Sequence, residues 1–132
     1  MKGKELMELL EAFAPKQYAC SWDNVGLLVG RSDQEVKKVL VALDATNEVV
    51  DRAVEEGVDM IITHHPVLFS SIKAINDQDF MGRKLLKLME NQIACFAMHT
   101  NFDVIGMADL AGSYLGFPED ARPLEVTVEE ED

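Results

Sequence analysis

Apolar residues recur at helical spacing from Lys4 to Phe13, where Leu6, Leu9, Leu10 and Phe13 share one face and Pro15 closes the segment. The pattern then changes. Ser21-Trp22-Asp23-Asn24 is a polar turn, and Val25-Gly26-Leu27-Leu28-Val29-Gly30 is a short apolar run punctuated by glycine, which predicts a loop entering a strand. Val39 to Leu43 is the next β-like run and ends at Asp44; Thr46 is placed to cap a helix running to Glu56, with Gly57 as its stop. Met60 to Thr63 reads as a strand, Phe80 to Glu90 as a helix, Ile93 to Met98 as a strand, and Met107 to Leu115 as a last helix stopped by Gly116.

Strands separated by helical segments of about ten residues, and lacking polar alternation, are the mark of βαβ units buried on both faces. The expected fold is a layered α/β/α domain with a mostly parallel or mixed sheet. The length of 132 residues, with 48% of them hydrophobic, suits one domain. Residues 1–123 are assigned to it and 124–132 to an acidic C-terminal tail.

The net charge of −12 argues against a nucleic-acid partner, because such binding relies on Lys and Arg displacing counterions. Much of the excess sits at the end, where Glu119, Asp120, Glu125, Glu129, Glu130, Glu131 and Asp132 face only Arg122; a solvated terminus accounts for it. No apolar run approaches the ~20 residues that span a bilayer, and the N-terminal pattern is amphipathic rather than a signal-peptide core. A soluble, cytoplasmic protein without a membrane partner is expected. Cys20 and Cys95 lack metal-ligand spacing and lie in apolar neighbourhoods, so both read as reduced, packed thiols.

All three histidines fall in two short segments, His64-His65-Pro66 and His99-Thr100-Asn101-Phe102-Asp103, each directly after a predicted strand. Strand ends are where α/β proteins build their sites. Consecutive residues of a regular strand point to opposite faces, so His64 and His65 can act together only where the strand breaks down, and Pro66 provides that break. Residues just beyond two neighbouring parallel strands converge, which brings Asp103 in as a carboxylate partner. Imidazole nitrogen with carboxylate oxygen suits Zn, Mn, Fe, Co or Ni. Packing is favoured over a lid role for Trp22, and turn chemistry over a place facing the metal pocket for Asp23 and Asn24, while helix entry and the pocket weigh about equally for Asp44. Gly26 and Gly30 have neither the Walker A nor the dinucleotide-binding spacing.

Three segments in order, Trp22 to Gly30, Ile61 to Phe69 and His99 to Asp103, together resemble the Nif-three-like family, often labelled GTP cyclohydrolase 1 type 2 homologues. The resemblance runs from the first helix to about Pro123. It implies one half of a duplicated α/β fold, a two-metal centre, and toroidal homo-oligomers, commonly hexamers. Carried onto matching positions it makes His64, His65 and Asp103 metal ligands, and leaves His99 as a pocket residue and candidate general base. Family members are about twice as long, and their C-terminal half supplies a further His and Glu to the site. No histidine follows His99 here, so the chain resembles an N-terminal half. Two function classes follow: a metal-dependent hydrolase acting on a nucleotide or related small molecule, or a non-catalytic metal-binding or assembly module whose dinuclear site is incomplete.

Overall fold

The computed structural model describes residues 1–122, so the acidic tail assigned to 124–132 lies outside the described residues. The elements, in chain order, are α1 (Gly3–Phe13), a 3-10 turn (Lys16–Tyr18), β1 (Gly26–Val29), β2 (Val39–Ala42), α2 (Asn47–Glu55), β3 (Met60–Thr63), α3 (Phe80–Glu90), β4 (Ala94–Ala97), a short α4 (Thr100–Phe102), a π-helical turn (Asp103–Met107) and α5 (Ala108–Leu115). The local signals act as expected. Thr46 accepts a 3.2 Å hydrogen bond from the Val49 N–H at the start of α2, Asp79 does the same for Gly82 at 2.7 Å in α3, and Gly116 ends α5 in the left-handed conformation.

The strands form one mixed sheet in the order β1-β4-β3-β2. β2, β3 and β4 run parallel, with Met60 opposite both Val39 and Ala94, whereas β1 pairs antiparallel with β4, Gly26 lying opposite Ala97. Alternation along the strands divides the core into two clusters. Ile61 and Cys95 point to one face, among Val50, Ala53, Leu85 and Leu88 of α2 and α3. Met60, Ala94 and Phe96 point to the other, where Leu6, Met7 and Leu10 of α1 and Phe102 of α4 cover them. The sheet is therefore the middle of three layers.

Gly30 shows how tightly β1 is joined. It has φ +100, and a Cβ there would stand 2.7 Å from the Ala94 Cα, so both the backbone conformation and the approach to β4 require glycine. Two sequence expectations are corrected. Cys20 is exposed rather than packed, because it lies in the loop ahead of β1 and not in a strand; Cys95 is buried as expected. Trp22 is 62% exposed, so it is not a packing residue of the core.

Candidate metal centre

The parallel strands β3 and β4 end at the same edge, and the chain beyond them carries the histidines. The ladder continues for a step past each strand: the His65 N–H donates to the Leu43 carbonyl at 3.0 Å, the Met98 N–H to the Thr63 carbonyl at 2.9 Å, and the Thr63 hydroxyl to the His65 carbonyl at 2.8 Å. These bonds hold the two segments rigidly side by side. Because β1 runs antiparallel, the residues preceding it reach that same edge, which delivers Asp23 and Asn24 to the histidines.

The imidazoles of His64, His65 and His99 pack as a triangle, with ring centroids 5.1, 5.1 and 5.4 Å apart. One nitrogen from each lies within 4.8 Å of the others. Every Nδ1 is bound to an oxygen. His64 Nδ1 is 2.9 Å from the Met98 carbonyl, His65 Nδ1 is 2.8 Å from Asp44 Oδ1, and His99 Nδ1 is 3.0 Å from Asp23 Oδ1. A carbonyl or an ionised carboxylate only accepts, so each Nδ1 donates to its oxygen and Nε2 is the nitrogen left to ligate. Oxygen partners on the far nitrogen are the usual way a metal-ligating imidazole is oriented.

Asp103 stands where α4 gives way to the π-helical turn, and its Oδ1 lies 3.3 Å from His64 Nε2. Two donors each about 2.1 Å from a shared ion, at a near-tetrahedral angle, have this separation. The donor set of imidazoles with one adjacent carboxylate thus fits a borderline divalent ion. The group of donors that converges is His64, His65 and His99, and Asp103 lies beside it through His64 alone.

Asp23, for which the sequence favours turn chemistry over the pocket, belongs to the pocket. Its side chain is fully buried, and it accepts from the Thr100 hydroxyl at 2.5 Å, the Thr100 N–H at 3.1 Å, the Asn24 N–H at 2.8 Å and the His99 ring. Burial by itself pushes the carboxyl upward, but the donors outweigh it: the Thr100 hydroxyl, the His99 ring and the backbone N–H groups of Thr100 and Asn24 lower its pKa to about 2. A fixed negative charge therefore faces His99. Buried Asn101 braces the segment, accepting from the His99 N–H at 2.9 Å and donating to the Ala14 carbonyl at 2.7 Å at the end of α1.

Known proteins share this chain's sequence and fold. It is 47% identical over 104 residues to a GTP cyclohydrolase 1 type 2 homolog of Staphylococcus aureus, covering 79% of this chain and 28% of that protein. A Bacillus subtilis protein of the same description is 40% identical over 121 residues, 90% of this chain and 32% of its own length. Among solved structures, reduced HcgD from Methanocaldococcus jannaschii superimposes with a TM-score of 0.85 at 41% identity, over 95% of this chain and 50% of that one. The chain thus spans less than half the length of these curated relatives. The sequence profile described as Duf34/NIF3 (NGG1p interacting factor 3) matches residues 1–129, and the chain belongs to that family.

Proposed function

We propose that this chain is a divalent-metal-binding protein whose histidine cluster serves a metal-dependent hydrolase acting on a nucleotide or related small molecule. The observation that carries the reading is the common arrangement of the three imidazoles, each bound through Nδ1 to an oxygen, with one nitrogen of each within 4.8 Å of the others. His64, His65 and Asp103 are the ligands in this reading, and Met98, Asp44 and Asp23 hold the rings. A bound ion of the Zn, Mn, Fe, Co or Ni type supplies Lewis-acid activation of water, and a complete family site holds two such ions. His99, whose Nδ1 is held by the buried Asp23 carboxylate, is the group to take the proton. The nucleotide class comes from the description shared by the relatives.

A second reading is a non-catalytic metal-binding or assembly module, which uses the same histidine cluster to hold an ion without turnover. Self-association belongs to both readings. Tyr114, Leu115 and Phe117 at the end of α5 are 85%, 70% and 60% exposed, apolar surface suited to a homo-oligomer such as the family's hexamer. No helix among the described residues is long and apolar enough to cross a membrane, and a reducing cytoplasm fits the free thiols Cys20 and Cys95.

Substituting His64→Ala and His65→Ala, with GTP turnover, metal content and oligomeric state measured together, separates the two. Lost turnover with retained assembly supports the hydrolase. Lost metal in a chain that never turned over GTP supports the binding module.

A further inference from the structure

Two large aromatic side chains stand in solvent beside the histidines. Trp22 is 62% exposed and Phe69 is 55% exposed. Their ring centroids are 6.0 Å apart with the planes inclined at 66°, and Trp22 also meets the His99 ring edge-on at 6.3 Å. They come from separate loops, one ahead of β1 and one after β3.

Leaving this much aromatic surface in water is unfavourable, and a slack loop would fold it away. These loops are not slack. The Asp23 side chain beside Trp22 is fully buried on Thr100 and His99; the Cys20 N–H donates to the Thr100 hydroxyl at 2.8 Å; and the Asn24 side-chain amide donates to the Leu68 carbonyl at 2.6 Å, tying the Trp22 loop to the neighbour of Phe69. The chain on either side of Trp22 is pinned while the ring is held out.

We propose that Trp22 and Phe69 form an aromatic wall that receives a flat heteroaromatic ring of the substrate and determines specificity for it. The inference rests on reading the histidine cluster as a substrate-processing centre. A ring stacked on one member meets the edge of the other, the arrangement that aromatic quadrupoles favour. The occupant is a small ligand because the wall is continuous with the donor cluster: a ring lying on Trp22 rests against His99, whose side chain is 18% exposed, and so lies beside the nitrogens that converge there.

Trp22 is the chain's single tryptophan, so its fluorescence reports on the wall directly. The full chain is titrated with adenosine as the planar probe and ribose as the non-aromatic comparison, with and without added zinc. The expected result is saturable quenching by adenosine in both conditions and none by ribose. Phe69→Leu weakens adenosine at least about fivefold and Phe69→Tyr restores it. A linear or absent response, equal quenching by ribose, or unaltered affinity in Phe69→Leu overturns the proposal. So does a concentration-dependent blue shift without an adenosine response, which gives the wall to a second copy of the chain. Saturable quenching in a chain that retains no zinc leaves the wall standing and removes the metal reading alone.

Discussion

His64 Nε2 lies 3.3 Å from Asp103 Oδ1 while the same ring donates its Nδ1 proton to the Met98 carbonyl. With that proton committed, a lone pair faces a carboxylate oxygen, and two acceptors at this distance repel unless a cation joins them. Either a second proton on the ring or a metal ion meets the need. The neighbouring imidazoles of His65 and His99, each offering a nitrogen within 4.8 Å of the others, favour the ion, because they add donors that one shared proton would not use.

The two carboxylates behind the histidines are unequal. Asp23 is fully buried, whereas Asp44 is 49% exposed against a His65 that is 46% exposed. Water can replace Asp44 as the partner of its ring, but removing Asp23 leaves His99 and Thr100 without theirs. Asp44→Ala is therefore expected to weaken zinc affinity by less than about tenfold through its ligand His65, and Asp23→Ala to leave zinc affinity in place while lowering GTP turnover at least about tenfold through the proton-accepting His99. Competition titration against a chelating dye, with GTP turnover measured beside it, checks both; equal effects of the two substitutions would sink the argument.

The low pKa of Asp23 predicts a loss of stability in acid. Its folded value of about 2 lies below the ordinary 3.8, so the contribution is fully present above pH ~4 and disappears as pH falls through about 2. The shift corresponds to about 2 kcal/mol. Urea unfolding of the metal-free chain between pH 5 and pH 2 is expected to show this slope, and Asp23→Asn to be less stable at pH 5 with a flatter profile. A parallel profile for Asp23→Asn would assign the slope to other carboxylates.

Much of this architecture is legible in the sequence because it is local. Phe80–Glu90 is found as predicted, since its apolar period and the capping Asp79 both act within a few residues. The histidines are legible because they follow runs that only a buried strand explains. The orientation of β1 is not legible: four residues carry no mark of the direction in which they pair. With it goes Asp23, whose partners His99 and Thr100 lie 76 and 77 residues away, so it reads as turn chemistry until antiparallel pairing brings it round. Exposure of Trp22 is hidden for the same reason, as its anchors are residues brought in by the fold.

Gly30→Ala tests that antiparallel junction. The new Cβ meets the backbone of Ala94 at 2.7 Å in a φ +100 conformation, and a backbone atom cannot swing aside. A loss of about 2 to 4 kcal/mol is expected from strain and overpacking together. Chemical denaturation measures it, and a loss below ~1 kcal/mol would show that β1 moves freely on β4.

The two thiols are expected to differ in reactivity. Cys20 is exposed, while burial pushes the Cys95 thiol up to about 11. Iodoacetamide at neutral pH should modify Cys20 alone in the folded chain, and both thiols in denaturant. Labelling of Cys95 without unfolding would contradict the packed position of β4.

Elemental mass spectrometry of the untagged chain, equilibrated with zinc and then dialysed without chelator, decides whether the histidine cluster with Asp103 holds a divalent ion. At least one ion per chain is predicted, falling to near zero in His64→Ala and in Asp103→Ala while both variants keep cooperative unfolding, since neither residue belongs to the apolar clusters of the core. Near-zero metal in the unsubstituted chain, or a content that survives both substitutions, would mean that these residues hold no ion.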